Sequence, residues 1–144
     1  MVILVINGPN LNFLGKRDKK QYGEKTLDDI AQILQTALQA RFPAARLEFF
    51  HSNHEGAIID YIQKNSRANA LIINPGALSH YSYALADALR DFPGVKAEVH
   101  LSSIEKREAF RRVSVTASAC GKMIAGKKWK SYVEALEWII DKIK

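Results

Sequence analysis

Cysteine is almost absent: Cys120 is the only one in 144 residues. No intrachain disulfide can form, so the fold must rest on packing, and a reducing cytoplasm is the expected setting. Long hydrophobic runs are missing as well. No apolar stretch approaches the roughly 18 residues that cross a bilayer, so no membrane association is expected. The opening Met1–Ile6 is apolar but has neither a basic leader nor a small-residue cleavage site, which points to a buried first strand rather than a signal peptide. Aromatics make up only 9% of the chain, and the basic residues are scattered, with small clusters at Lys16–Lys20, Arg111–Arg112 and Lys127–Lys130. No basic stripe interleaved with aromatics is present to track a phosphate backbone, so no nucleic-acid partner is expected. The formal charge of +6 reads instead as solvated surface with attraction for an anionic small molecule.

Other signatures are also lacking. There is no glycine-rich nucleotide fingerprint, no P-loop and no G-x-S-x-G nucleophile elbow. His51 and His54 have HxxH spacing, but no carboxylate or cysteine cluster accompanies them, so no metal site is expected. Repeats, low-complexity tracts and linkers are absent, so residues 1–144 read as one domain.

What is present is an alternation. Val2–Ile6, Arg46–Phe50, Ala70–Ile73, Val95–Val99 and Lys122–Ala125 read as five strands. The first and third are apolar nearly throughout, as central parallel strands covered on both faces should be. Between them run helical patterns. Leu27, Ile30, Ile33, Leu34, Ala37 and Leu38 follow Thr26 as a candidate N-cap, with Asp28 and Asp29 in the first turn. Ile58, Ile59, Tyr61 and Ile62 follow Ser52 or Asn53, and Tyr83, Ala84, Ala88 and Leu89 follow Ser79. A short helix is expected over Ser103–Arg111, and a final one carries Tyr132, Leu136, Ile139, Ile140 and Ile143. The pattern predicts an α/β three-layer sandwich, with a five-stranded parallel sheet in flavodoxin-like order 2-1-3-4-5. One connection is long and without periodicity, Gly8–Lys25, and is expected to form a functional lid loop.

In such sheets ligands bind beyond the carboxyl ends of the strands at the topological switch, here between strands 1 and 3. Asn7–Asn10 follows strand 1, Asn74–His80 follows strand 3, and His100–Ser103 follows strand 4. Taken singly, each is ordinary turn chemistry; their common location is what suggests a site. Ser102 and Ser103, opening the predicted helix, would offer free backbone N–H groups to a carboxylate or phosphate. Glu98 precedes His100 by two on one strand face and could fix its tautomer, so His100 is open to either an acid/base or a structural role. Tyr22, whose ordinary pKa is about 10, reads from the residues alone as packing at the loop's base, although Arg17 nearby would favour a phenolate. Cys120 reads as a small core residue. The competing reading is a non-catalytic, small-anion- or nucleotide-binding flavodoxin-like module.

These residues also form a larger pattern. Asn7-Gly-Pro-Asn-Leu-Asn-Phe-Leu-Gly15, Arg17, Tyr22-Gly23 and Thr26-Leu27 resemble the N-terminal signature of the type II 3-dehydroquinate dehydratases. Ser52-Asn-His-Glu-Gly56 with Ile59-Asp60 resembles that family's second block, and Ile72-Ile-Asn-Pro-Gly-Ala77, His80, Ala84-Leu85 and Asp87-Ala88-Leu89 the third. Glu98-Val-His-Leu-Ser102 with Arg107-Glu108 and Phe110-Arg111 resembles the fourth. The likeness spans almost the whole chain and includes polar residues that no core would demand.

The resemblance implies a flavodoxin-like fold, a dodecamer of four trimers, and conversion of 3-dehydroquinate to 3-dehydroshikimate by anti elimination through an enolate, without cofactor or metal. It implies that Tyr22 is the base, that Arg17 on the lid keeps it acidic, and that Asn10 holds a water on the enolate oxygen. His100 would be the general acid, oriented by Glu98. Asn74 would position the departing hydroxyl and the imidazole, and the backbone at Leu101 and Ser102 would take the carboxylate. His80 and Arg111 would bind ring hydroxyls, with Asp87 arriving from a neighbouring subunit. The chain departs from the family pattern at His51 (usually Gln), Leu78-Ser79 (Tyr-Thr), Ser103 (Asn) and Ala109 (acidic), and it lacks the usual glycine-rich stretch within Gly126–Tyr132.

Overall fold

A computed structural model describes residues 1–144. The five strands are β1 (Val2–Asn7), β2 (Arg46–His51), β3 (Ala70–Asn74), β4 (Val95–His100) and β5 (Lys122–Ala125), all parallel and ordered β2-β1-β3-β4-β5. Every expected strand is present, and the order is the expected one. The helices are α1 (Lys19–Tyr22), α2 (Leu27–Arg41), α3 (Glu55–Lys64), α4 (Tyr83–Asp91) and α5 (Lys130–Ile143).

Alternation along the strands makes the three layers. On β1, Ile3 and Val5 pack with Leu34, Leu38, Leu136 and Ile140 of α2 and α5, while Leu4 and Ile6 pack with Ile58, Ile62, Leu85 and Leu89 of α3 and α4. Side chains of a strand point alternately to its two faces, so a fully apolar strand is needed wherever helices cover both. Both β1 and β3 are buried along almost their whole length.

Helix starts follow local chemistry. Thr26 and Asp29 form a capping box at the head of α2, as expected from the threonine. The other two expected caps differ. Ser52 accepts a hydrogen bond from the backbone N–H of His54, and His54 itself occupies the cap position of α3. Ser82, not Ser79, caps α4 by accepting from the Leu85 N–H at 3.0 Å, while Ser79 lies buried in a 3-10 turn over Gly76–His80.

The expected helix over Ser103–Arg111 does not form. Two 3-10 turns, Ile104–Lys106 and Ala109–Arg111, are separated by extended backbone at Arg107 and Glu108. The segment buries only Ile104, with no apolar stripe to pay for an amphipathic helix, and the Arg107 side chain is drawn instead toward Tyr22 and Ser102. The chain between β4 and β5 is thus a second long irregular connection. The first, Gly8–Lys25, contains a 3-10 turn and α1, and Leu11 and Leu14 anchor it in the core.

Candidate active site

The turns after β1 and β3 meet backbone to backbone. A Cβ on Gly8 would lie 2.5 Å from the Pro75 carbonyl oxygen, and Gly76, at φ +59°, would set one 3.0 Å from the Pro9 oxygen. Only glycine permits both approaches. Asn10 adopts left-handed φ 69°, and its N–H donates to Asn53 Oδ1 at 2.9 Å. The two asparagine turns expected from the sequence therefore form one edge of a crevice at the switch point.

The crevice has an empty volume of about 560 Å³. It brings together Asn10, Arg17, Tyr22, Asn74, His80, His100, Leu101, Ser102 and Arg111 of the expected site. Arg107, to which no role was assigned from the sequence, joins them. Three guanidiniums and no carboxylate line the cavity, so its field favours an anion. The helix N-terminus expected to offer N–H groups at Ser102–Ser103 is not formed, because no α-helix follows them, so these arginines are the crevice's cationic groups.

Along one wall, Arg17 stacks on the Tyr22 ring, 3.9 Å from guanidinium carbon to centroid. The hydroxyl is served by a different arginine: Arg107 Nη1 donates to Tyr22 Oη at 3.2 Å and to Ser102 Oγ at 3.3 Å. Glu108 lies between Arg107 and Arg111, its carboxyl held below the ordinary range first by its own backbone N–H and then by the two guanidiniums. Arg111 Nε is 3.0 Å from Glu108 Oε2 but too poorly aligned to hydrogen-bond, which leaves that N–H without a partner.

Opposite, Glu98 lies behind His100, outside the crevice lining and 0% exposed, with its Oε2 2.8 Å from His100 Nε2. A carboxylate only accepts, so Nε2 carries the proton and Nδ1 has no partner within the protein. Ser114 Oγ donates to Glu98 Oε2 at 2.6 Å, and Thr116 Oγ1 donates to Oε1. Neither residue had a sequence signal; each is an isolated hydroxyl in an irregular stretch. His80 Nδ1 lies 2.7 Å from the Val113 carbonyl oxygen. Cys120 is a neutral thiol, pushed up to about 12 first by burial and then by the charge of Glu98.

Beneath the crevice, Asn7 and Asn74 are register partners on β1 and β3. The fully buried Tyr132 of α5 donates to Asn7 Oδ1 at 2.5 Å and accepts from Asn74 Nδ2 at 3.0 Å. Burial pushes the Tyr132 phenol well above its ordinary value, so it keeps the proton it donates. Asn74 Oδ1 accepts the Gly76 N–H at 3.1 Å, which fixes the amide orientation and leaves one N–H for the crevice. No hydrogen bond joins Asn74 to His100; Glu98 alone orients the imidazole. Asp87 stands on the exposed face of α4, paired with Arg90 at 3.0 Å, and is not part of this chain's own crevice.

Fold and crevice together define a flavodoxin-like α/β protein whose switch point holds an arginine-lined cleft with a tyrosine on one wall and a carboxylate-paired histidine on the other. The model of the family "Dehydroquinase class II" matches residues 1–140. A 3-dehydroquinate dehydratase of Thermotoga neapolitana is 48% identical over 139 residues, covering 96% of this chain and 94% of the relative. One from Bartonella henselae is 48% identical over 141 residues, covering 97% and 94%. The crystal structure of type II dehydroquinase from Butyrivibrio crossotus superposes with a TM-score of 0.92 at 43% identity, covering 97% of each chain. The chain belongs to the class II dehydroquinase family.

Proposed function

We propose that this crevice dehydrates 3-dehydroquinate to 3-dehydroshikimate by anti elimination through an enolate. Tyr22, as phenolate, takes a proton from C2, and the electron pair moves into the adjacent carbonyl. His100, doubly protonated, then donates its Nδ1 proton to the C1 hydroxyl, which departs as water as the enolate collapses to the enone, and the ring is left with Nε2–H on Glu98. Return of the proton from Tyr22 through solvent resets both groups. Family membership carries this reading, together with the presence of Tyr22 and His100 in one crevice.

Each remaining residue has a role in this scheme. The hydrogen bond from Arg107 strengthens as the Tyr22 oxygen gains charge, and Arg17, stacked on the ring, adds a second cation and closes the lid over substrate. Asn10 holds a water against the enolate oxygen, where a preorganised donor is worth orders of magnitude in rate. The free N–H of Asn74 meets the departing hydroxyl. Backbone at Leu101 and Ser102 takes the carboxylate, and His80 and Arg111 bind ring hydroxyls. The reaction needs no cofactor or metal. Asp87 enters from a neighbouring copy in a dodecamer of four trimers. In support, Tyr81 and Tyr83 at the start of α4, and Phe110 and Val113 against His80, are exposed apolar side chains that a neighbour would cover. No helix is long and apolar enough to cross a membrane, and the lone Cys120 suits a reducing cytoplasm.

The test is the conjugated-enone absorbance that develops when purified protein meets 3-dehydroquinate in the presence of a chelator. Tyr22→Phe should extinguish it. Activity surviving in that variant would remove Tyr22 as the base, and inactivation by borohydride with substrate would indicate an imine-forming lysine instead. The arginine-lined cleft would also suit a small-anion-binding module; ligand-induced stabilisation without turnover would decide for that reading.

A further inference from the structure

We infer that Val113–Thr116, a strap in the irregular stretch before β5, is a positioning device that fixes His80 and His100 in opposite tautomers. The inference rests on the reading of His100 as the acid. Its measurable content, the placement of two protons, can be determined independently of turnover.

The geometry assigns each proton in turn. The Val113 carbonyl can only accept, so His80 carries hydrogen on Nδ1 and leaves Nε2 as the bare nitrogen. In the neutral ring His100 is the reverse: Nε2–H faces Glu98, and Nδ1 is the bare nitrogen, which takes up the proton later given to the leaving hydroxyl. Glu98 can hold that arrangement only as a carboxylate, and its charge has no access to water. Two strap hydroxyls replace the water, Ser114 on Oε2 and Thr116 on Oε1, and Thr116 is the only protein donor to Oε1. The strap is itself clipped in place. Val115 N–H donates to the Ser79 carbonyl at 2.6 Å, and Ala117 N–H donates to Ser114 Oγ at 3.1 Å. One short segment thus touches the partner of one imidazole and the other imidazole directly.

Removing a hydroxyl has a definite chemical consequence. Burial disfavours the charged form of a carboxyl that has lost a donor. A protonated Glu98 would turn its O–H toward His100 Nε2, and the imidazole proton would move to Nδ1. The same substitution in a purely structural hydroxyl would lower stability and leave the tautomer alone.

The chain has four histidines, so imidazole nitrogen NMR on histidine-labelled protein in mildly alkaline buffer resolves them individually. In the unsubstituted protein we expect Nδ1–H at His80 and Nε2–H at His100. Thr116→Val, which keeps shape and removes the oxygen, should shift His100 toward Nδ1–H. It should also lower kcat by about tenfold or more with KM changed by less than about threefold. Thr116→Ser should restore both. Ser114→Ala should shift His100 in the same direction and serves if the valine variant does not fold. Wild-type tautomers in Thr116→Val and Ser114→Ala, a serine variant as impaired as the valine one, or Nε2–H at His80 in the unsubstituted protein would overturn the proposal. Failure of the unsubstituted protein to turn over 3-dehydroquinate would remove the assigned reaction, while the NMR would still decide the strap.

Discussion

The floor of the crevice and its rim hold His100 and Tyr22, the two halves of the proposed acid/base pair, by different means. On the floor and just behind it, Glu98, Asn74, Asn7 and Tyr132 are at least 95% buried, and their hydrogen bonds run to one another, to His100 and Gly76, and to the Ser114 and Thr116 hydroxyls. On the rim, Tyr22, Arg17 and Arg107 come from the two long connections and remain partly exposed, held by a ring stack and by the hydrogen bonds from Arg107 to Tyr22 at 3.2 Å and Ser102 at 3.3 Å. A group on the floor is fixed by what it would cost to leave it unsatisfied. A rim group is fixed by little, and can move when a ligand arrives. The arrangement suits the proposed scheme, with His100 preset and Tyr22 brought into place around the substrate.

Substitutions should separate the two regions by which property each changes. Tyr22→Phe has the largest expected effect on rate, a loss of about 10³-fold or more. On the rim it forfeits a single hydrogen bond, so the unfolding free energy in urea should fall by no more than about 1 kcal/mol. A large loss of stability would place Tyr22 with the floor. Glu98→Gln should change both properties: a drop in kcat of about 10- to 100-fold, with about 1–3 kcal/mol of stability lost as an amide N–H is forced against donors. Full stability in that variant would mean that the floor relaxes as freely as the rim. Tyr132→Phe leaves Asn7 Oδ1 and Asn74 Nδ2 without their partner, at a cost of about 1–3 kcal/mol in denaturant titration. Its effect on kcat should be several-fold only, because Asn74 keeps its bond from Gly76.

The smallest effect concerns His51, at the end of β2. Burial lowers its pKa, against an opposing hydrogen bond with the Gly8 backbone, and its Nε2 has no partner. The unfolded chain binds a proton more readily than the folded one, so this contribution to stability is present above about pH 6.5 and is lost as pH falls toward the folded value. His51→Gln should flatten the melting temperature on that acid side. An unchanged slope would show that His51 is solvated like a rim residue.

Much of this was legible beforehand, for identifiable reasons. Val2–Ile6 and Ala70–Ile73 are apolar on both parities, which only a doubly covered strand requires, and from them the sheet order and the switch point follow. Glu98 and His100 are separated by two on a strand, which puts both on one face, and they do hydrogen-bond. The helix expected over Ser103–Arg111 failed because a single buried apolar residue, without a capping hydrogen bond from Ser103, does not outweigh a side chain recruited elsewhere. Arg107 stood in plain view within a family block, but its contact with Tyr22 crosses 85 positions of sequence. Tyr132 looked like one more apolar helix position, because nothing local distinguishes a packing tyrosine from one whose hydroxyl joins two strands.

By itself, the sequence determined what strong periodicity carries: five strands and their order, the four long covering helices, and the neighbourhood in which the candidate site residues collect. Only the tertiary structure decided which arginine reaches the phenol, which hydroxyls satisfy the buried carboxylate, and which nitrogen of each histidine carries the proton. Those are contacts between residues remote along the chain. Their partners are selected by distance and by the cost of an unmet buried polar group, and neither quantity is written in local order.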